Sequence, residues 1–409
     1  MIQVLPDKKQ ECCGCSACSQ ICPQKCISMI EDREGFSYPE VDIDKCIGCS
    51  LCEKACPIIA KKNIDIQNAE CEECKEHLPQ TIGGWHKNED IRYESSSGGA
   101  FTLFAEYILK QERGVVYGAA LNEKMHTEHI GVERMEDLFK LKGSKYVQSD
   151  IAGVYKEIKE QLMNDRKVMF VGTPCQCAGL HSFLREDSAI NIDAKRYDNL
   201  YICDFICHGV PSPKVFRSYI NYLEEKYNDK ITTFRFRNKD KGWNSTGFQM
   251  GTYIGFQSIG NKRFTPAFRD AYMNGFSDNI YLRPSCYSCE FKCLPKYYAD
   301  ITIADFWGVK KVYPELYDGK GTSLVLLHNE HAKELFNRVK DNFFYKEIDF
   351  NAAIKKNKSL LKPANENANR NSFFSDYENL PFDKVRKKYL GAFKWVSRRI
   401  IKKVQKITS

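Results

Sequence analysis

A chain of 409 residues, 43% hydrophobic and 28% charged, is long enough for two or three domains with sizeable cores. No run approaches the ~18 apolar residues of a membrane span, which excludes a transmembrane helix. The net charge of +8 is lopsided: ten Lys or Arg and no acid lie between Lys384 and Ser409, leaving the remainder at −2 with no basic footprint for nucleic acid.

Nineteen cysteines dominate the chemistry from the first residues on. Twelve fall before residue 75, four between 175 and 207, and three between 286 and 293. The start, Met1 to Lys9, has no apolar leader, so the thiols are expected to be reduced, cytoplasmic and metal-binding rather than paired as disulfides. Cys12, Cys15, Cys18 and Cys22, followed by Pro23, have the spacing C-x2-C-x2-C-x3-C-P. Cys46, Cys49, Cys52 and Cys56, followed by Pro57, repeat it 34 residues later. Gaps of two residues let one tight loop aim three thiolates at three irons of a cubane, while the fourth cysteine of each run reaches the other cluster. The pattern predicts two 4Fe–4S clusters in an α+β ferredoxin-like domain over residues 1–62. One would use Cys12, Cys15, Cys18 and Cys56, the other Cys46, Cys49, Cys52 and Cys22. A zinc site takes four ligands in two pairs and does not need this duplicated run with both prolines. Cys13 and Cys26 fall outside the pattern and read as packing residues. Residues 63–80 form a charged linker, in which Cys71 and Cys74 read equally as a metal or redox pair and as an incidental one.

Beyond the linker, over residues 81–350, strands alternate with helices. Gly114 to Leu121, Val168 to Val171 and Tyr201 to Ile206 are apolar runs ending in turn residues. Phe101 to Lys110, Val154 to Met163 and Pro213 to Lys226 have helical spacing. This order predicts an α/β domain with a mainly parallel sheet. A more β-rich section follows, with strands at Ile231 to Arg237, Phe248 to Phe256, Ile301 to Asp305 and Ser323 to His328.

Several loops in this domain have ligand chemistry. Ser95 to Gly99 leads straight into a helix, so the free N–H groups around Ser97, Gly98 and Gly99 suit a phosphate as well as an ordinary serine cap. Gly143, Ser144, Lys145 and Tyr146 combine a glycine, hydroxyls and a cation, a set that fits a flavin or phosphate contact or a plain polar loop. Gly172, Thr173 and Pro174 follow a strand, where open α/β sheets place ligands. Cys175 and Cys207 each close a loop after a strand and can face one sheet edge. With Cys286 and Cys289 they would complete a four-cysteine site for a third 4Fe–4S cluster. Cys293 competes as a ligand, and buried packing is the other reading of Cys175 and Cys207. His208 reads either as a proton donor to a reduced substrate or as a residue capping its strand. Arg235 to Trp243 fits an acidic substrate or a solvated turn.

Six segments in this order, SSSGGAFT (95–102), GSKYVQSD (143–150), VGTPCQCAGL (171–180), DFICHGVPSPKVF (204–216), LRPSCYSCEFK (282–292) and DITIADFWG (300–308), resemble the beta-subunit family of coenzyme F-420-reducing hydrogenases and F-420-linked dehydrogenases. The resemblance spans roughly residues 81 to 330 behind the fused two-cluster domain. It implies an FAD module in which cluster electrons meet a hydride carrier, in family members the deazaflavin coenzyme. It also implies a third cluster on Cys175, Cys207, Cys286 and Cys289, with FAD along Ser97 to Gly99, Gly143 to Tyr146 and Gly172 to Pro174. His208 and Lys145 are then the candidates for catalysis. Where relatives often have Phe-Lys-Gly after the last cysteine pair, this chain has Phe291-Lys292-Cys293.

A flavin exchanges electrons in pairs on one side and singly on the other, which is what a junction between hydride chemistry and clusters requires. The expected protein is an iron–sulfur flavoprotein oxidoreductase of the kind found in anaerobes, acting on a hydride-carrier coenzyme or small molecule, with a redox partner protein. The alternative is an electron-transfer adapter serving a separate enzyme, conceivably in polysaccharide synthesis. No nickel–iron site is present to split hydrogen. After a connector (351–383), residues 384–409 carry Leu390, Phe393, Val396, Ile400, Val404 and Ile407 at helical spacing among basic residues. Such a helix can lie on the inner face of a membrane, dock on a partner or fold back.

Overall fold

The computed structural model describes residues 9–60, 78–186, 198–240, 253–258, 261–294, 296 and 298–391. Cys71, Cys74, Trp243 and the tail from residue 392 lie outside the described residues. The amino-terminal region has two short helices, α1 (Ala17–Ile21) and α2 (Leu51–Lys54), and an antiparallel hairpin of β1 (Ile27–Glu31) and β2 (Ser37–Val41). The sequence repeat survives in the backbone. Gly14 and Gly48 have φ of 68° and 70°, and Ser16 and Ser50 have 63° and 56°, each pair at the repeat distance. Glycine enters this left-handed region without a Cβ clash, which is why it occupies the turn between the first two cysteines of each run.

The large domain is built on β3 (Gln80–His86), β4 (Val115–Leu121), β5 (Thr127–Val132), β6 (Val168–Gly172), β7 (Leu200–Phe205), β8 (Ile231–Asn238), β9 (Tyr253–Ser258), β10 (Asn261–Pro266), β11 (Ile301–Asp305), β12 (Ser323–Leu327) and β13 (Phe343–Glu347). Eight of these form one sheet in the order β13-β3-β12-β11-β7-β6-β4-β5. Its centre, β4, β6, β7 and β11, is parallel. The flanking pairs β4/β5, β11/β12, β12/β3 and β3/β13 are antiparallel. The sheet is thus mixed, where a mainly parallel one was expected. Strands buried on both faces read as the same apolar run in either direction, so the sequence pattern does not reveal their sense.

Helices α3 (Ala100–Lys110), α4 (Val154–Met163), α5 (Pro174–Glu186), α6 (Pro213–Tyr227), α7 (Ala271–Ser277), α8 (Glu330–Val339), α9 (Arg370–Asn379) and α10 (Phe382–Tyr389) complete the frame. The start of α6 shows why boundaries near 213 could be read. Ser212 accepts from Val215 N, and Pro213 takes the first-turn position, where no N–H is needed. On one face of the large sheet, Leu103, Phe104 and Ile108 of α3 pack with Leu335 and Phe336 of α8. The other face carries Tyr155 and Ile158 of α4 and Phe183 of α5, and Ile21, Ala55 and Ile58 of the amino-terminal region join that same core. That region is therefore docked, not merely tethered. A third core unites β8, β9, α6, α7, α9 and α10. It takes in Val385, Tyr389 and Leu390, so the start of the basic segment folds back against the domain, one of the three placements open to it. Among the described residues, no helix is long and apolar enough to cross a membrane.

Candidate functional site

Two small hollows sit in the amino-terminal region. One is lined by Cys12, Cys15, Cys18 and Cys56 with Cys13. The other is lined by Cys22, Cys46, Cys49 and Cys52 with Cys26. The fourth cysteine of each run crosses to the hollow of the other, the sharing expected from the spacing. Cys26 touches Cys22, Sγ to Sγ 3.3 Å. Among the described residues, no three Cys, His, Asp or Glu side chains converge closely enough to hold one ion. Thiols ringing a void suit a cubane, with iron at each corner, better than a single tetrahedral zinc.

A third void of about 360 Å³ is lined by Cys175, Cys207, Cys286 and Cys289. Neighbouring parallel strands β6 and β7 end beside each other, which brings Cys175, in the first turn of α5, and Cys207 to one sheet edge. The turn after Arg283-Pro284 supplies the other two. Cys293 does not line the void; its Sγ lies 3.8 Å from the Glu290 carbonyl. Burial pushes Cys207 up to about 12 against the pull of the Lys292 ammonium, which donates to the Cys207 and Ser359 carbonyls. The Cys13 thiol and burial raise Cys175, and burial raises Cys286 and Cys289. Thiols in such a place become thiolates only when a cation compensates them, as iron does. The donor set fits a cluster.

Across the wall formed by Cys207, His208, Gly209 and Val210 lies a cavity of about 310 Å³, within the range of small-molecule sites. It opens at the carboxyl ends of β6, β7 and β11. Ser97, Gly99, Gly143, Ser144, Lys145, Tyr146, Gly172, Thr173 and His208 line it as the sequence suggested. Gly98 does not. Its N–H is given to Ser323 Oγ at 2.9 Å, and a Cβ there would lie 2.5 Å from the Gly84 carbonyl. Pro174 faces the third void instead. Gln176 accepts from Thr173 N at 3.0 Å and gives its amide to Ser149 Oγ, fixing the loop after β6.

The two residues expected to be catalytic are both engaged. His208 Nε2 lies 2.6 Å from Asn279 Oδ1 and Nδ1 3.4 Å from Ser359 Oγ, and burial lowers its pKa. Lys145 Nζ donates to the carbonyls of Lys140, Leu141 and Lys142 at 2.9–3.1 Å. Burial and Arg235 pull its pKa down to about 7 while those carbonyls hold the proton.

The cavity also exposes groups that sequence reasoning did not assign to it, although Arg237 lies in the basic stretch Arg235 to Trp243 already singled out. Thr102 Oγ1, His129 Nδ1, Arg237 Nη2 and Asp305 Oδ1 are buried in its wall without a hydrogen-bond partner among the described residues. Arg237 pairs through Nη1 with Asp305, lies beside the Tyr146 hydroxyl, and sits 5.2 Å from the Trp307 ring. Unpaired buried polar atoms cost about 1–3 kcal/mol each, so a ligand with both donors and acceptors fits here. Asp305 and Trp307 fall in the quoted DITIADFWG segment and could have been singled out. Thr102 likewise closes the quoted SSSGGAFT segment, whereas His129 carries no sequence signal.

Three family models match the chain. Residues 11–60 match a 4Fe–4S dicluster domain. Residues 81–156 match the coenzyme F-420 hydrogenase/dehydrogenase beta subunit amino-terminal model, and residues 165–352 its carboxy-terminal counterpart. Among solved structures, a chain of the xenon-derivatised F-420-reducing NiFe hydrogenase complex from Methanosarcina barkeri is 17% identical. It superposes with a TM-score of 0.46 over 69% of this chain and 87% of that one. No curated protein sequence matches.

Proposed function

Since the chain belongs to the coenzyme F-420 hydrogenase/dehydrogenase beta-subunit family, with a 4Fe–4S dicluster domain fused ahead of it, we propose that it is an iron–sulfur flavoprotein oxidoreductase. It would pass electrons between its clusters and a deazaflavin-like hydride carrier or small organic substrate through FAD. The observation that carries this reading is the succession of voids. The hollow of Cys12, Cys15, Cys18 and Cys56 shares Cys13 and Ile58 with the third void, and the third void shares residues 207–210 with the large cavity. Such a series suits single electrons entering at one end and a two-electron carrier meeting them at the other.

In this reading twelve cysteines hold three clusters: Cys12, Cys15, Cys18 and Cys56; Cys22, Cys46, Cys49 and Cys52; Cys175, Cys207, Cys286 and Cys289. Ser97, Gly99, Gly143 to Tyr146, Gly172 and Thr173 hold the FAD, whose bound form supplies the conversion between paired and single electrons. The unpaired Thr102, His129, Arg237 and Asp305 atoms orient it by hydrogen bonds. His208 stays a neutral ring in the dividing wall, positioned by Asn279 and Ser359. Lys145 closes the cavity floor over three carbonyls, its charge weakened by burial and Arg235.

Protein purified without oxygen tests this. About twelve irons and one FAD per chain are expected, since three 4Fe–4S clusters hold that many. Photoreduced protein should then pass electrons to a deazaflavin or another oxidant in a screen. About eight irons with no flavin would instead indicate an adapter for a separate enzyme.

A further inference from the structure

Arg283 lies where the amino-terminal region meets the large domain, and it is 1% exposed. Nε donates to the Cys12 carbonyl at 2.8 Å and Nη1 to Gln148 Oε1 at 3.0 Å. Nη2 donates to the Ser37 carbonyl at 3.0 Å and to Cys12 Sγ at 3.6 Å. The guanidinium stands 4.3 Å from the Tyr38 ring centre and 5.5 Å from that of Phe36. Gly14, in the first cysteine turn, is in turn pressed against it: a Cβ there would fall 2.6 Å from Nη1. The same side chain lines the third void, three residues before Cys286.

None of these partners is a carboxylate. A cation removed from water is strongly disfavoured unless an anion faces it. The neighbours able to supply negative charge are the sulfur atoms on either side, with Cys12, Cys13 and Cys286 all acting on the guanidinium. Hydrogen bonds to sulfur and net charge are what set a cluster's potential. We propose that Arg283 is a positioning residue for electron passage across the domain joint. Its charge and its N–H to Cys12 Sγ raise the reduction potentials of the Cys12/Cys15/Cys18/Cys56 cluster and the Cys175/Cys207/Cys286/Cys289 cluster together. An added electron on either side is stabilised by one shared cation, so the two stay matched. This rests on the reading that both clusters are present.

The test is potentiometric titration of the anaerobic full-length protein, followed by electron paramagnetic resonance and iron analysis. Two variants are compared with wild type. Arg283→Gln removes the charge, and Gln148→Glu leaves Arg283 in place but sets an opposing charge at Nη1. Both should shift the reduction equilibrium of the joint clusters about tenfold toward the oxidised form, about 59 mV more negative for one electron. The Cys22/Cys46/Cys49/Cys52 cluster should stay unmoved as the internal reference. If Arg283→Gln loses iron, Gln148→Glu decides. Unshifted potentials in an iron-replete Gln148→Glu protein, or iron loss in both variants, overturn the inference. Wild-type protein without iron would instead overturn the cluster reading beneath it.

Discussion

The Val171 carbonyl decides which nitrogen of His129 carries the proton. A carbonyl only accepts, so the 3.1 Å contact places hydrogen on Nε2 and leaves Nδ1 a bare acceptor in the cavity wall. Burial holds this imidazole's pKa down at about 4. The acceptor therefore persists from neutral pH downward and is lost only as pH falls through that value. Retention of FAD, followed as flavin fluorescence after filtration, should stay flat across the ordinary histidine range near pH 6.5. His129→Phe, lacking the acceptor, should hold FAD about tenfold more weakly throughout, the loss of about 1.4 kcal/mol expected for one hydrogen bond. A release midpoint near 6.5 that His129→Phe abolishes would show that the ring is not held neutral. Asp305→Asn, which keeps the shape but halves the ion pair with Arg237, should likewise weaken FAD by about tenfold or more, since bonds to charged groups contribute about 1.5–3 kcal/mol. The eight amino-terminal cysteines were legible because a cubane's geometry is written into gaps of two and three residues. His129 was not, because its role depends on a carbonyl 42 residues away and on the strand that brings the two together.

At the scale of elements, the seat of the amino-terminal region on the large domain depends on close approach of α5. A Cβ on Gly179 would lie 2.8 Å from Cys15 Cβ, 2.9 Å from Cys15 Sγ and 2.9 Å from the Tyr155 hydroxyl. Gly179→Val should push the helix off Cys15 at a cost of about 1–3 kcal/mol, the usual range for overpacking. The expected result is a lower thermal midpoint and loss of about four irons from the hollow of Cys12, Cys15, Cys18 and Cys56, with the other hollow retained. Full iron content at wild-type stability would mean that the two regions are not seated this closely. Helices α3, α4 and α6 were readable from apolar spacing, α6 with its Ser-Pro start, whereas α5 at the joint itself was not read. Strand sense at the sheet's flank was not. The return of β12 against β11 follows from the path of residues 306–322, which no periodicity in either strand encodes. Burial of Val385, Tyr389 and Leu390 was hidden for a similar reason: an amphipathic stripe shows that an apolar face exists, not what covers it.

For the whole molecule, the third void is the only one of the cysteine-lined hollows described that shares a wall with the large cavity. Electrons moving between the amino-terminal hollows and the FAD would then have to pass it, and its ligands are separable by substitution. Cys289→Ser should lower iron from about twelve to about eight per chain, leaving the amino-terminal clusters reducible by light. FAD should remain bound, because Cys289 does not line its cavity. Reduction of that FAD by the amino-terminal clusters, followed by stopped-flow absorbance, should slow by at least about a hundredfold, a barrier about 2.7 kcal/mol higher. Cys293→Ser, changing a thiol that does not line the void and sits 3.8 Å from the Glu290 carbonyl, should leave iron content and rate unchanged. The pair separates two explanations that iron counting on the wild type leaves joined. Equal effects at both positions would make the cysteine group a structural clasp, whereas loss at Cys289 alone, with FAD retained and slow to reduce, makes the third hollow the step through which the two ends of the chain communicate.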